Sequence, residues 1–383
     1  MPTDGPGRVY IGCFGSGLGH ATRMLAVARA LSYRGAQVQF SSSSEVANYI
    51  ERQGFRCNTL PLADVLYNEE GGLSVKRTVG SAGLIMARTY QQVALEVAHM
   101  MRFGPDSVLV DSALSTLLAA RTLRRKPVTV LNQLRIESSQ RGSVPHRLLS
   151  AGISEGMGTL WGLSETILLP DLPPPYTISE SNLWNANVEN TKYIGFLPQE
   201  DGGVPDGAHE SFASARLPKV FWQVSGPPMT RTPLLKKALA IAEALAESYC
   251  FVISGGDPSG TTEPRPIAGG WYYEWCGLVK HYFEACDVVV SRAGHGTLAQ
   301  AISHGKPSLL VPIPGQTEQE GNSRKAAKLG LSLSMCQDDL TLEGFRSAVS
   351  RLREQDFAQN VKTVNAIAKR FDAQEEIIRA LCS

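Results

Sequence analysis

No C-x-x-C pair occurs among the seven cysteines of this 383-residue chain, which stand far apart at Cys13, Cys57, Cys250, Cys276, Cys286, Cys336 and Cys382. Neither a zinc ribbon nor a disulfide framework is supported, and a reducing cytoplasm is the expected setting. No apolar run approaches the ~18 residues of a membrane span, and the opening MPTDGPGRVYIG lacks the charged-then-apolar order of a signal peptide. Net charge is also scarce: 37 Lys and Arg against 36 Asp and Glu leave +1, so no nucleic-acid partner is expected. There is no D-x-D to hold a divalent ion, and no Gly-Lys-Ser/Thr of a Walker A loop. His99, His146, His209, His281 and His304 show no ligand spacing, so no metal site is expected.

What is present is length enough for two cores, together with a repeated rhythm. RVYIGCF, AQVQFSS, FRCNTLPL, DSVLVD, PVTVLNQ and ETILLP are apolar runs of strand length, and helix-like stretches separate most of them. The long helical region covers roughly Lys76 to Arg102. The rhythm restarts at KVFWQVSG and continues through YCFVISGG, DVVVSRAG, KPSLLVPI and LSLSMC. Continuous apolar strands alternating with helices predict an α/β chain of two doubly wound parallel sheets. The expected division is residues 1–198 as a first domain, 199–217 as a Gly/Pro-rich linker and 218–353 as a second domain. A terminal helical run over 354–383 has the first domain within its reach. WYYEW, Trp271 to Trp275, reads as strand and core packing, and RTLRRKP, Arg121 to Pro127, as a helix C-terminus with cations suited to the dipole.

The stretch CFGSGLGHATR raises the functional question. A dinucleotide fingerprint needs G-x-G-x-x-G; counted from Gly15 the third glycine falls on His20, and no acidic residue closes the second strand. What remains is a glycine loop, open to a ligand at Gly17 and Gly19, with an imidazole opening a helix. A helix N-terminus disfavours positive charge, which suits His20 as a general base. The second half echoes this arrangement in SRAGHGTLAQ, where Gly294, His295, Gly296 and Thr297 begin a helix and offer backbone N–H groups to an anion. Beyond it, Glu318, Gln319 and Asn322 share one face at the head of the next helix and suit sugar or ribose hydroxyls. Phosphate on one loop and hydroxyls on the next describe a nucleotide sugar. Asp111, closing DSVLVD at the cleft, is the candidate acceptor-binding residue.

With these motifs the chain resembles the GT-B glycosyltransferases of the MurG type, family 28-like. The segment from Glu274 to Gly330 carries the resemblance most specifically. The resemblance implies two Rossmann-like domains facing across a cleft, the acceptor on the first and the donor on the second. It implies Ser225 and Gly226 of QVSGPP near a diphosphate, Arg231 adding charge for the leaving group and Cys276 meeting the nucleobase through its backbone. Gly294 to Thr297 would hold the diphosphate, and Glu318 and Gln319 the donor sugar. Where the family pattern has a ribose-gripping glutamate, this sequence has Gln300, an amide that bonds a hydroxyl without charge. His295 and the continuation GHATR also depart from the bacterial pattern. The implied activity is inverting, metal-independent transfer from a nucleotide-diphosphate sugar, a UDP-sugar such as UDP-GlcNAc, to an acceptor hydroxyl. No cofactor is implied beyond that co-substrate. A cytoplasmic enzyme that meets a lipid-linked acceptor at the membrane surface would use apolar surface near Leu73 to Met101. The alternatives are a UDP-sugar epimerase of the same fold and a non-catalytic nucleotide-sugar-binding partner subunit.

Overall fold

The computed structural model describes residues 7–15, 17–62, 82–134, 156, 158–183, 190–198, 203–226 and 228–383. The first domain runs β1 (Arg8–Cys13), α1 (Gly19–Tyr33), β2 (Gln37–Ser43), α2 (Ser44–Arg52), β3 (Arg56–Leu60), α3 (Ala82–Phe103), β4 (Ser107–Asp111), α4 (Leu114–Thr122), β5 (Pro127–Val130), β6 (Thr166–Leu169), α5 (Glu180–Leu183) and β7 (Thr191–Tyr193). Its strands lie in the order β3-β2-β1-β4-β5-β6-β7, and every pairing is parallel. The order reverses between β1 and β4. Chain leaving one strand turns to one face and chain leaving the other turns to the opposite face. A crevice therefore opens beyond the carboxyl ends of these two strands. The long helix expected from Lys76 is described from Ala82; residues 76–81 and Leu73 lie outside the described residues.

The second domain runs α6 (Gly207–Ser214), β8 (Lys219–Gln223), α7 (Pro228–Ala244), β9 (Cys250–Ser254), β10 (Arg265–Ile267), β11 (Gly270–Tyr273), α8 (Val279–Ala285), β12 (Val288–Ser291), α9 (His295–Ser303), β13 (Ser308–Leu310), α10 (Thr317–Lys328), β14 (Ser332–Ser334), α11 (Leu342–Leu352), α12 (Gln355–Ala368) and α13 (Ala373–Cys382). Its sheet order is β10-β11-β9-β8-β12-β13-β14, parallel except for the β10–β11 hairpin. The reversal here falls between β8 and β12, so the second crevice lies beyond Gln223 and Ser291. Both sheets are buried on both faces, as continuous apolar strands demand: Val9, Ile11, Val220, Trp222 and Val288 to Val290 have no solvent exposure.

One expectation about organisation is corrected. The stretch 199–217 is not all linker. Asp206 caps α6 by accepting from the His209 backbone N–H at 2.8 Å. Phe212 of that helix is fully buried against Phe221 and Tyr282 of the second domain. One large aromatic ring outweighs the Gly/Pro-rich composition around it. The terminal run forms two helices. α12 stays at the second domain and the junction through Phe357, Val361 and Val364. After a break, α13 crosses to the first domain, where Ile377, Ile378 and Leu381 join the core of Val9, Met24 and Leu31. Ser107 Oγ donates to the Leu381 carbonyl at 2.7 Å. Phe212→Ala is expected to destabilise the second domain by about 3–5 kcal/mol, read as a fall in Tm; a residue of a solvated linker would leave Tm unchanged.

Candidate active site

The first crevice is built from the ends of β1 and β4. Gly17 holds φ at +74° with open space where a Cβ would point, so conformation and not crowding requires glycine there. The chain then enters α1, and His20 falls in its first turn, its side chain 23% exposed and its ring edge-on to Phe14. Gly19 is exposed beside it. On the neighbouring strand Asp111 is fully buried. His20 Nδ1 lies 2.9 Å from Asp111 Oδ1. Arg23 Nη2 lies 3.0 Å from the same nitrogen; in the neutral tautomer that donates Nδ1–H to the carboxylate, Nε2 is the lone-pair nitrogen.

Arg23, one turn along α1, completes the arrangement. Its Nε donates to Asp111 Oδ2 at 2.7 Å and its Nη2 donates to Oδ1. Burial alone would push the Asp111 carboxyl up; Arg23 and His20 together hold it well below the usual carboxylate range. This corrects the expectation that Asp111 meets the acceptor. A carboxylate with no exposed surface, bonded on both oxygens, orients the imidazole instead. Sequence reasoning left Arg23 unassigned. The available signal was its i+3 spacing from His20, which puts both on one helix face.

The second crevice collects the remaining candidates unevenly. Gly226, exposed at φ +108°, follows Ser225 in the loop after β8. Gly294 caps α9 with open space at its Cβ position, and the first N–H to enter the helix ladder is that of Leu298. The N–H groups of His295, Gly296 and Thr297 precede that ladder and form the helix's positive end. Cys276 sends its side chain into the core with Phe212 and Tyr282, which leaves its backbone in the loop after β11. Glu318 is half-buried in the first turn of α10. Gln319 accepts from the Ile313 N–H at 3.0 Å and shapes the loop before that helix. Asn322 is fully buried and donates to the Ala293 carbonyl at 3.1 Å, so it braces the α9 cap rather than meeting hydroxyls.

Three expected ligand residues are drawn elsewhere. The His295 ring is buried and its Nε2 lies 3.3 Å from Asp171 Oδ2 of the first domain. Asp171 also accepts from the backbone N–H groups of Leu172, Ile178 and Ser179 and from the Ser179 hydroxyl. Burial raises the Asp171 carboxyl, but the bonds from His295 and Ser179 bring it below its ordinary value. The imidazole is thus a domain-junction contact; only the His295 backbone remains to an anion. Gln300 is buried and donates to the Leu197 carbonyl at 3.1 Å, so its amide nitrogen serves the junction instead of a ribose. Arg231 bonds the Gly256 carbonyl and pairs with Asp257 at 3.4 Å, which ties α7 to the loop after β9 and neutralises the charge expected for a leaving group. A cation that the sequence reading missed is Arg292, 1% exposed at the end of β12. It donates to the carbonyls of Thr230, Val311 and Pro312 and to Gln337 Oε1, and burial pushes its guanidinium down to about 10.

Two sheets facing each other through paired switch-point loops have the architecture of the GT-B glycosyltransferases. The family model of the glycosyltransferase family 28 C-terminal domain matches residues 241–377, and over that segment the chain resembles the family. It is 26% identical, over 97% of its length and 96% of the relative's, to an "uncharacterized glycosyltransferase" of Methanosarcina mazei. Over 46% of its length and 56% of the relative's, it is 36% identical to the UDP-N-acetylglucosamine–N-acetylmuramyl-(pentapeptide) pyrophosphoryl-undecaprenol N-acetylglucosamine transferase of Prochlorococcus marinus. Among solved structures, the glycosyltransferase of kitacinnamycin superposes with a TM-score of 0.68 at 18% identity, covering 98% of this chain and 99% of that one. The Streptomyces sp. SF2575 glycosyltransferase SsfS6, complexed with thymidine diphosphate, gives 0.67 at 20% identity, covering 97% and 98%.

Replacing Asp111 by Asn leaves Arg23 buried without its carboxylate and is expected to cost about 3–5 kcal/mol. Because the folded carboxyl lies below its unfolded value, this contribution is complete above about pH 4 and fades as pH falls through the folded value. Urea unfolding of parent and variant across that window checks both the size and the sign.

Proposed function

We propose that the chain transfers a glycosyl group, with inversion, from a nucleoside-diphosphate sugar to an acceptor hydroxyl, with His20 as the general base. The carrying observation is the His20–Asp111 contact at 2.9 Å, which supports the tautomer that donates Nδ1–H to the carboxylate and keeps the lone pair on Nε2. In the reaction the acceptor O–H gives its proton to Nε2, and the acceptor oxygen forms a bond to the anomeric carbon. The bond from that carbon to the diphosphate breaks, and its electron pair leaves with the diphosphate. Attack from the face opposite the leaving group inverts the centre. Asp111 stabilises the imidazolium as it forms. The N-terminus of α9 receives the growing charge of the diphosphate, and Arg292 beneath the neighbouring loops adds positive potential. These groups supply the neutralisation that a divalent ion supplies elsewhere, so transfer is expected to proceed without metal.

The donor sugar lies against Glu318 in this reading, with the base in the loop at Cys276. Uridine and GlcNAc are favoured by the Prochlorococcus relative, whose name specifies that donor. Thymidine diphosphate, bound by the Streptomyces neighbour, is the alternative nucleotide to test. That relative's acceptor carries an undecaprenol chain, so a lipid-linked acceptor is the proposed partner. No described helix is long and apolar enough to cross a membrane. The exposed Leu84, Met86, Tyr90 and Met101 of α3 are the surface at which such an acceptor would be met.

His20→Ala is expected to lower transfer by about 10²–10⁴-fold while the rise in Tm with UDP or UDP-GlcNAc is retained. Activity in EDTA should equal that without it, and NMR of the product should show the inverted anomer. Unchanged transfer by His20→Ala would overturn the base assignment, and a requirement for added metal would overturn the metal-free mechanism.

A further inference from the structure

The contacts that begin at His20 do not end within the first domain. Both Nη atoms of Arg23 lie 3.3 Å from Oδ1 of Asn132, a residue 7% exposed just beyond β5. Asn132 Nδ2 in turn lies 3.4 Å from Oε1 of Glu318, across the cleft in the second domain. The chemistry of the two neighbours fixes this amide. A guanidinium only donates and a carboxylate only accepts, so Oδ1 must face Arg23 and Nδ2 must face Glu318. A flipped amide would oppose donor to donor and acceptor to acceptor. Burial opposes the charge on Arg23, Asp111 is the main group that favours it, and Glu318 adds to that in the same direction.

We propose that Asn132 is a positioning residue that couples the donor-side Glu318 to the alignment of the His20 base. The proposal rests on the reading of His20 as the base and Glu318 as a donor-sugar contact. Glu318 has two oxygens: one meets Asn132, and the other remains for a sugar hydroxyl. Where Glu318 settles on a bound donor decides where Asn132 stands. Asn132 sets the guanidinium of Arg23, and Arg23 sets the carboxylate that holds His20 Nδ1. The base is then aligned when the donor half is loaded and in place. The link acts by geometry within a chain of donors and acceptors, and removing either end of its cross-domain step should have the same consequence.

The test is a double-mutant cycle on full-length protein with Asn132→Ala, Glu318→Ala and the pair, measuring kcat, donor KM and the UDP-induced rise in Tm. Asn132→Ala is expected to lower kcat about tenfold or more while donor KM stays within about twofold, and the double variant should be no slower than the slower single one. Asn132→Asp, which keeps the size but sets a carboxylate against Glu318, should lose kcat comparably. It is the second variant should Asn132→Ala fail to fold. Unchanged kcat in Asn132→Ala, or a double variant whose loss is the product of the single losses, would overturn the coupling. His20→Ala is run alongside. If it is inactive while the single losses multiply, only the coupling fails; if it transfers at the parental rate, the base assignment fails and the coupling with it.

Discussion

A carboxylate sealed from solvent at the end of β4 organises the first half of the cleft. Asp111 sits where the strand order reverses, so its side chain emerges between the loop after β1 and the start of α4. An isolated charge there would be costly, and Arg23 removes most of that cost with two donated bonds. The same carboxylate holds His20 Nδ1 and orients the ring. The loop before α1 is set by this constraint as well, since the Phe14 N–H donates to the Asp111 carbonyl at 3.0 Å. The residue after it, Ser112, holds φ at +54°, an unfavourable conformation for a non-glycine residue that the bonded Asp111 helps to maintain.

The junction between the domains rests on the same physics applied to a second buried carboxylate. Asp171 organises the segment that follows β6 and takes the ring of His295 from α9. Around it Leu172 and Ile178 of the first domain share one apolar cluster with Ala293, Leu298 and Ile302 of the second. Lys325 of α10 reaches Glu180 of α5 at 2.6 Å, and a side chain at Gly321 would strike Ser181. The loop that leads into α9 is therefore braced from behind by the other domain. The shared packing explains why the side chains of His295 and Gln300 meet Asp171 and the Leu197 carbonyl at the junction.

Much of the fold was legible because parallel strands covered on both faces must be apolar throughout. VVVS and VFW leave little else for those segments to be. The glycine loops were legible for a related reason, since Gly17 and Gly294 stand at strand-to-helix turns. α6 was hidden because composition averages over a stretch, whereas a helix can be held by one cap and one ring. The break between α12 and α13 was hidden because apolar residues continue through both, although they face different domains.

The sequence by itself determined the two doubly wound sheets and the placement of His20 and Gly294 at helix starts. These depend on periodicity and on turns only a few residues long. Only the tertiary structure decided that Asp111 meets His20, that Asn132 stands between Arg23 and Glu318, and that His295 and Gln300 belong to the junction. Each of those assignments joins residues roughly 90 to 190 positions apart. A side chain's role there is set by which partner burial leaves within hydrogen-bond reach, and no local pattern encodes that choice.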